Sequence, residues 1–355
     1  MLISVCIPHY NRSEYLKEVL RSIAVQTFPN IEVIVSDDAS TDGSSREIPR
    51  FLESLVHGPH ARFEYRLQPT NLGYDANLRS ALNAATGDYL LILGNDDALA
   101  DAQAIERLVF CLRDFNYPEV CYTSFRGYSD GIVTNRASKT GIVGAGPAAA
   151  VRTFRSFSCV CGVVMKAIEF RKWDTAEYDG SIFVQVYLAA RIIASGGRVC
   201  CIADPLVAKD VLIEGQHANS YRDNLREMNR KSVPKTGGLD EVGRLAWEAI
   251  VPYLAPEERK KYFIQVFRQL IIFSYGYWLY KYRENGSYRA ALNLARGCRP
   301  CYLYRKLGPL RGTALVLDLW YAIVTVFGLT IPTALIANAA PVLYRFSRRV
   351  PVMRA

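Results

Sequence analysis

The first third of the chain alternates short apolar runs with segments whose apolar residues recur at helical spacing. The run at 3–7 is apolar except for Ser4, and the run at 90–93 is wholly apolar and ends abruptly, which is typical of buried strands. Between them, a helix is predicted to begin after a capping serine, Ser13, and to place its apolar residues three and four positions apart. This alternation predicts a mostly parallel sheet with helices on its faces.

The same pattern continues to about residue 210. Strands are predicted at 31–36, 63–67 and 119–123, and within SCVCGVVM and RVCCIADPLVA. Helices are predicted at 75–85 and 102–115, and DGSIFVQVYLAARIIASGG indicates an amphipathic helix closed by two glycines. Residues 126–156 are rich in Gly, Ser, Thr and Ala, and their weak pattern predicts a long loop or lid.

Polar residues follow three of the predicted strands at the point where each strand ends. The first strand runs into PHYNR, the second into DDASTD and the fourth into GNDD. An Asp- and Asn-rich turn in solvent would show the same residue types. However, ligands of such sheets collect at the carboxyl ends of the strands, and adjacent carboxylates need a cation or a donor to offset their repulsion. Three converging loops therefore favour a binding site.

Two other motifs are weaker. GIVGAGPAAA contains a G-x-G-x-x-A string, but it lies mid-chain and no suitable acid follows about twenty residues later, so dinucleotide binding is disfavoured. Cys298 and Cys301 form a single C-x-x-C without a second pair, which argues against a zinc site. The nine cysteines, with no secretory signal before them, are expected to be reduced, intracellular thiols.

Charge is unevenly spread along the 355 residues. Residues 1–220 hold 21 Lys and Arg against 25 Asp and Glu, whereas residues 221–355 hold 22 against 9. The basic back half is expected to meet an anionic partner, either nucleic acid or the anionic leaflet of a membrane. Residues 319–344 carry no formal charge, so they form a membrane span, a re-entrant or in-plane anchor, or a buried helix pair.

The segments SVCIPHYNRSEYLKEVLRSIAVQTFPNIEVIVSDDASTD and NLGYDANLRSALNAATGDYLLILGNDD resemble the opening of family 2 glycosyltransferases. The resemblance is continuous over about residues 2–125, weaker to about 210, and closest to bacterial non-processive members that build surface polysaccharides, including the abequosyltransferase-like branch. The family implies the GT-A fold, an α/β, Rossmann-like nucleotide-diphospho-sugar transferase with a mostly parallel sheet flanked by helices. Residues 1–215 would form this domain, with a nucleotide-sugar half at 1–125 and an acceptor half at 126–215. Residues 216–355 would form a helical, basic, membrane-associating region.

The resemblance also implies an activity. The chain would be a metal-dependent, inverting hexosyl- or deoxyhexosyltransferase that uses Mn²⁺ or Mg²⁺ and a nucleotide-sugar donor. Its acceptor would be a saccharide linked to undecaprenyl diphosphate, at the cytoplasmic face of the bacterial inner membrane, in O-antigen, capsule or exopolysaccharide synthesis. Nucleic acid would not be a partner.

Residue by residue, Pro8 and Tyr10 match the loop that meets the nucleobase, and Asp38 matches the residue that bonds a uracil-type ring. Asp96 matches the residue for ribose or sugar hydroxyls, and Asp97 matches the metal ligand. The usual LDADD reads LGNDD here, so the first acid of the D-x-D motif is missing.

An inverting displacement also requires a base that deprotonates the acceptor hydroxyl. The family places a carboxylate near the start of the helix after the returning strand, which here offers Asp179, with Glu177 as the alternative. The family's usual Glu-Asp pair reads Tyr-Asp at this point.

Two other classes of protein remain. The missing first acid is compatible with a non-catalytic binder of a nucleotide or a partner. The basic back half is compatible with nucleic-acid binding, which would be strongly salt-dependent. A processive synthase is disfavoured because its Q-x-x-R-W motif is absent.

Overall fold

The computed structural model describes residues 1–55, 61–218, Met228 and 235–337. Within these residues the strands form a ten-stranded mixed sheet and a small hairpin of β11 (Leu212–Ile213) and β12 (Gln216–His217). The strands of the large sheet are β1 (Ile3–His9), β2 (Ile31–Asp37), β3 (Ala61–Leu67), β4 (Tyr89–Ile92), β5 (Ala98–Leu99), β6 (Val120–Gly127), β7 (Val133–Thr134), β8 (Gly141–Gly144), β9 (Val163–Lys166) and β10 (Val199–Lys209).

The sheet has a parallel half and a mixed half. Its order is β3-β2-β1-β4-β9-β6-β10-β5, with β7 beside β6 and β8 beside β10. Strands β3, β2, β1 and β4 are all parallel, as the alternating pattern predicted. Beyond β4 the returning strand β9 is antiparallel to both of its neighbours, and β10 is parallel to β6.

Helices cover both faces of the sheet. They are α1 (Ser13–Ala24), α2 (Ser44–Ser54), α3 (Tyr74–Ala84), α4 (Ala104–Asp114), α5 (Gly146–Thr153), α6 (Ala167–Trp173), α7 (Val184–Ala194), α8 (Leu239–Ile250), α9 (Pro256–Gln269), α10 (Gly276–Glu284), α11 (Tyr288–Gly297), α12 (Pro300–Leu303) and α13 (Ala314–Thr330). Since side chains alternate across a strand, Val5 belongs to the core that α1, α2 and α4 form on one face, and Cys6 belongs to the core that α3, α5 and α7 form on the other.

Three local predictions are corrected. Ser13 is the first residue of α1 rather than its cap, because the carbonyl of Arg12 already accepts from Leu16 (3.2 Å) and the Ser13 hydroxyl donates to Glu47 (3.2 Å). The segment 126–156 is not one loop, since β7, β8 and α5 lie within it. The helix expected from residue 179 begins only at Val184, and nearly all of its side chains are buried, so it is a core helix rather than an amphipathic one.

The G-x-G-x-x-A string lies where β8 meets α5. Strand β8 is antiparallel to β10, with Gly144 paired with Val199. A dinucleotide fingerprint requires a parallel βαβ unit. The topology therefore agrees with the prediction that this string does not bind a dinucleotide.

The helical region packs onto the domain through α8, whose apolar side chains join the same core as α7. The last described helix, α13, covers the first part of the uncharged segment 319–344, and residues 338–344 lie outside the described residues. In the described part of the chain, no helix combines the length and apolar character that a membrane crossing requires.

Candidate active site

The predicted polar loops meet at one rim of the sheet, because the strands that carry them are neighbours. Strand β1 lies between β2 and β4, all three parallel. The backbone N–H of Asp38 donates to the carbonyl oxygen of His9 (2.9 Å), and that of Leu93 donates to Cys6 (3.1 Å). The loops after β1, β2 and β4 are therefore fixed to one another at their first residues.

Pro8 shapes this rim and does not present a surface. It is buried in β1, where it pairs with Ser36 of β2. The backbone carbonyl of Cys6 points towards β4, and the backbone nitrogen of Pro8, two residues later, points to the same side. The pairing of β1 with β4 has already ended at this point. A proline costs no ladder hydrogen bond at such a position. Tyr10, two residues further, is 45% exposed and leaves its ring available to a ligand.

Asp38 joins the end of β2 to the start of α3. One of its oxygens accepts from the backbone N–H of Leu72 (2.6 Å) and the other from that of Gly73 (3.0 Å). The residue is only 3% exposed. Two backbone donors stabilise the carboxylate in this position, and each oxygen keeps a lone pair for a further donor.

A buried histidine connects the three loops. Asn95 of the GNDD segment donates its amide N–H to His9 Nδ1 (3.1 Å), so the ring proton is on Nε2, which lies 2.9 Å from Ser44 Oγ. The Ser44 hydroxyl in turn donates to Asp42 (2.5 Å). Burial lowers the pKa of His9 to about 4, although Asp37 and Asp42 act in the opposite direction. His9 is therefore a neutral, structural part of the rim.

This neutrality predicts a pH dependence of folding. The pKa of His9 is depressed from its ordinary 6.5, so its contribution is fully present above about pH 6.5 and is lost as the pH falls towards 4, about 3 kcal/mol in all. At about pH 5 we expect the wild type to have lost about 2 kcal/mol relative to His9→Gln. Urea unfolding of the wild type and of His9→Gln at about pH 7.5 and about pH 5 measures this difference in unfolding free energy.

The wild type must be compared with His9→Gln because Asp97 changes the free energy of unfolding with pH in the opposite direction. Its raised pKa favours the folded state as the pH falls through the same interval. The difference between wild type and variant cancels that contribution. Equal shifts in the two unfolding free energies would contradict a neutral His9.

The two aspartates after β4 differ in their surroundings. Asp96 is partly exposed, and its Oδ2 accepts from Arg12 at 3.0 Å. Asp97 is 4% exposed, and its Oδ1 accepts from the backbone N–H of Asp210 at 2.9 Å. Their other oxygens converge on Gly94, since a methyl group added there would lie 2.9 Å from Asp97 Oδ2 and 3.1 Å from Asp96 Oδ1. The glycine thus leaves a small space that is open to two carboxylate oxygens.

Lys209, at the end of β10, supplies positive charge to this space. Burial raises the pKa of Asp97 to about 7, and the neighbouring ammonium of Lys209 limits the rise. Burial alone would lower the pKa of Lys209, but the neighbouring acidic groups, with Asp97 first among them, together outweigh it, so the pKa is raised. A cation beside two carboxylates keeps both of them ionised more easily.

The predicted base candidates lie on a neighbouring loop. Asp179 Oδ2 forms an ion pair with Arg79 of α3 (2.8 Å), and Arg79 also binds Asp174 (2.6 Å). Glu177 is exposed, and the residue between the two candidates, Tyr178, is buried against Tyr187. Among the described residues, Asp179 makes no hydrogen bond to the aspartates after β4. It stands beside the helix whose N-terminus binds Asp38.

Asp75 is a functional candidate that the sequence analysis missed. It lies in the first turn of α3 and accepts from the backbone N–H groups of Ile182 (2.6 Å) and Val184 (3.1 Å), and from the Ser181 hydroxyl (3.2 Å). Burial raises its pKa. The carboxylate therefore holds the loop of Asp179 and starts α7. The one sign of this role in the sequence is that Asp75 is an acid at a position of α3 that lies on its buried, apolar face.

A cavity of about 350 Å³ lies at the ends of β6 and β10. Its polar lining includes Asp130, Lys209, Asp210 and Lys281. Because Asp210 donates its backbone N–H to Asp97, the cavity adjoins the double aspartate.

The described residues contain no group of three or more His, Cys, Asp or Glu side chains arranged around a metal position. A Mg²⁺ or Mn²⁺ ion that binds with a diphosphate needs only one or two protein carboxylates, because phosphate oxygens and water complete its shell. The two oxygens that face Gly94 meet that requirement.

Comparisons with known proteins agree with this geometry. Residues 4–165 match the family model described as glycosyl transferase family 2. The abequosyltransferase RfbV of Salmonella typhimurium is 46% identical over 108 residues, which are 30% of this chain and 31% of that protein. The putative teichuronic acid biosynthesis glycosyltransferase TuaG of Bacillus subtilis is 31% identical over 128 residues, 36% of this chain and 47% of that one.

The chain thus aligns with less than half the length of either relative. Among solved structures, S. aureus TarS 1-349 in complex with UDP superposes with a TM-score of 0.59 at 17% identity, covering 92% of this chain and 91% of that chain. At this identity the likeness shows the fold. The predicted GT-A fold is confirmed, and so is the predicted resemblance, since residues 4–165 of this chain match family 2 glycosyltransferases.

Proposed function

We propose that the protein is an inverting glycosyltransferase that moves a sugar from a nucleotide-sugar donor to a glycan acceptor in bacterial surface-polysaccharide synthesis. The observation that carries this proposal is the position of Asp38, Asp96 and Asp97 on one rim of a GT-A sheet, within the residues that match the family. The names of the abequosyltransferase and the teichuronic acid relative support a polysaccharide product.

The donor would lie across the rim. The exposed ring of Tyr10 is suited to stack on a nucleobase, and Asp38 is suited to accept from a base N–H. Pro8 would act only by shaping the strand end. Arg12 and Lys209 flank the double aspartate and are suited to the charge of a diphosphate.

A divalent cation, Mn²⁺ or Mg²⁺, would be held beside Gly94 by Asp97, with the help of Asp96. When bound, such an ion stabilises the charge that grows on a departing nucleoside diphosphate. Asp96, which is partly exposed, would also reach the hydroxyls of the ribose or the sugar. The missing first acid of the D-x-D motif falls at Gly94, and the next residue, Asn95, is engaged through its amide with His9.

Asp179 would take the proton of the acceptor hydroxyl, with Glu177 as the alternative. Inversion in one displacement requires this base on the face of the sugar opposite the leaving group. Asp75 is a positioning residue in this proposal, because it fixes the loop that carries both candidates. The cavity lined by Lys209 and Asp210 would receive hydroxyl groups of the donor sugar or the acceptor.

The acceptor in this proposal is a saccharide on undecaprenyl diphosphate at the cytoplasmic face of the inner membrane, and α13 would contact that membrane. One side of α13 packs on the protein, where Leu317 is buried and Tyr321 donates to the carbonyl of Ala295. The other side is apolar and between 37% and 82% exposed, and it consists of Leu315, Leu319, Ile323, Val326 and Phe327. An apolar helical face favours in-plane binding to a bilayer, and the basic balance of residues 221–355 favours an anionic one.

We expect Leu319→Glu and Phe327→Glu each to weaken binding to vesicles that contain anionic lipid by about tenfold or more. Each change removes an apolar side chain worth about 1.5–3 kcal/mol on burial and adds a charge that the lipid repels. Vesicle sedimentation with the full chain measures the change. The matched control is Phe110→Glu, which alters an equally exposed aromatic residue on α4.

If the α13 variants bind such vesicles as the wild type does, or if Phe110→Glu weakens binding equally, α13 is not the contact. Binding to duplex DNA with a steep salt dependence would instead support the nucleic-acid alternative.

The proposed activity itself is tested with a panel of nucleotide sugars. A donor that binds the folded protein raises its melting temperature by mass action, and Mn²⁺ should increase that shift. The donor that gives the largest shift is then incubated with the protein, and release of the nucleotide is followed. Turnover of a donor supports the enzyme, whereas binding without any turnover, with lipid-linked acceptors present, would support a non-catalytic binder.

A further inference from the structure

Two cysteines with no part in the proposed transfer lie together beside the double aspartate. Cys159 Sγ and Cys161 Sγ are 3.3 Å apart, in the turn directly before β9. Gly162, the next residue, donates its backbone N–H to Ile92 at the end of β4 (3.0 Å). The thiol pair is therefore fixed to the strand that leads into Asp97.

A buried arginine orders the turn that carries these thiols. Arg136 is only 2% exposed, and it donates to the carbonyl oxygens of Cys159 (3.0 Å), Cys161 (2.7 Å) and Thr123 (3.2 Å). In the part of the chain that the structure describes, every hydrogen bond of this guanidinium goes to a carbonyl. Its positive charge is thus not neutralised by a hydrogen-bonded carboxylate and acts on the adjacent sulfurs.

The two sulfurs are not equivalent. The hydrogen bond from Cys161, followed by the charges of Arg136 and Lys209, lowers the pKa of the Cys159 thiol, and the same hydrogen bond raises that of Cys161. Cys159 is partly exposed, whereas Cys161 is buried. Burial of the Cys159 thiol opposes this fall in pKa and does not cancel it. A thiol in a positive environment is the usual form of a reactive cysteine, and a neighbouring thiol can resolve its oxidised form.

Cys111 provides the contrast within this chain. It is also partly exposed, but burial of its sulfur raises its pKa to about 11. Exposure alone therefore does not single out Cys159. What distinguishes Cys159 from Cys111 is the second thiol, 3.3 Å away, and the adjacent guanidinium of Arg136.

We propose that Cys159 and Cys161 form a reversible, hydroperoxide-reactive dithiol site. The Cys159 thiolate attacks the terminal oxygen of the hydroperoxide, the O–O bond breaks, and the departing alkoxide takes up a proton and leaves as an alcohol. The sulfur of Cys161 then attacks the resulting sulfenic acid, the S–O bond breaks, and hydroxide leaves as water with the Cys161 proton. The two thiols are oxidised to a disulfide, the peroxide is reduced, and an external dithiol reverses the reaction.

The two sulfurs need to approach by little more than 1 Å to reach the disulfide length of about 2.05 Å. The proposal does not depend on the proposed glycosyl transfer, because it concerns thiol chemistry alone.

The test uses the full, reduced chain and hydrogen peroxide, with peptide mapping by mass spectrometry. We expect a disulfide between Cys159 and Cys161 before Cys111 or Cys301 is modified, and its loss on treatment with a dithiol. In Cys161→Ser, Cys159 should accumulate as a sulfenic acid that dimedone traps. In Cys159→Ser, Cys161 should stay reduced.

Cys111→Ser and Cys301→Ser are the controls and should leave the disulfide unchanged. A melting curve for each variant confirms that it is folded. Oxidation of Cys111 or Cys301 ahead of the pair would overturn the proposal. If dimedone traps Cys161 in Cys159→Ser as much as it traps Cys159 in Cys161→Ser, the proposed attack by Cys159 first would be overturned.

Discussion

Asp97→Asn should lose nearly all glycosyl transfer and the metal-dependent part of donor binding. The amide oxygen can still accept from the backbone N–H of Asp210, so the fold of the rim is retained, but the charge that faces Gly94 is removed. Charge stabilisation by a bound ion is worth several kcal/mol, so we expect a loss of about a thousandfold in turnover. Titration calorimetry with the donor and Mn²⁺, together with product release, measures both effects.

Asp101→Asn is the matched control. It alters a nearby aspartate whose partner is Arg107 on the surface (2.8 Å), and an exposed pair of this kind contributes about 0–1 kcal/mol to stability. This variant should bind and react as the wild type does. Unchanged calorimetric affinity for the donor with Mn²⁺ in Asp97→Asn would show that Asp97 does not hold the ion.

Asp179→Asn should keep donor binding and lose transfer. If Asp179 takes the proton of the acceptor, removing its charge should lower turnover by about 10²–10⁴-fold, the range of general base catalysis. In the proposed function the donor is bound by the rim residues and not by Asp179, so its calorimetric affinity should change little. Rates at saturating donor, followed by product release, test the assignment.

Asp174→Asn separates catalysis from loop structure. Asp174 and Asp179 share the same partner, Arg79, so both variants disturb the same ion-pair network. Only the loss of Asp179 should stop transfer. Equal losses in both variants would assign a structural role to the network, and a loss confined to Glu177→Gln would move the base to Glu177. Full activity of Asp179→Asn would end its role as the base.

The rim of the site could be predicted because its residues are local in sequence. Asp38 and Asp97 each follow an apolar strand directly, and parallel strands bring such ends together. The family resemblance added their proposed roles. No structure was needed to expect that they share an edge of the sheet.

The residues that were missed act over long distances along the chain. Asp75 holds backbone groups more than 100 residues away, and by capping Val184 it determines where α7 begins. A helix start that depends on a side chain from another helix leaves no signal near residue 184. Lys209 likewise reaches Asp97 only because β10 ends at the same rim.

The loop predicted over 126–156 failed for a different reason. Helix α5 is short and rich in alanine, and its residues Ala149 and Ala150 are fully buried against α7. Alanine is only weakly hydrophobic, so a helix that packs through alanines shows little periodic hydrophobicity along its sequence. Such a sequence is easily read as a loop.

Strand β10 has a practical consequence for anyone who divides this protein into fragments. It is hydrogen-bonded to β5, β6 and β8, and Asp210, the residue after it, supplies the backbone N–H that fixes Asp97. A fragment cut at residue 165, the end of the family match, would lack β10. The backbone groups of β6 that bond to β10 would then have no partner strand. The smallest useful expression fragment must therefore extend past Asp210.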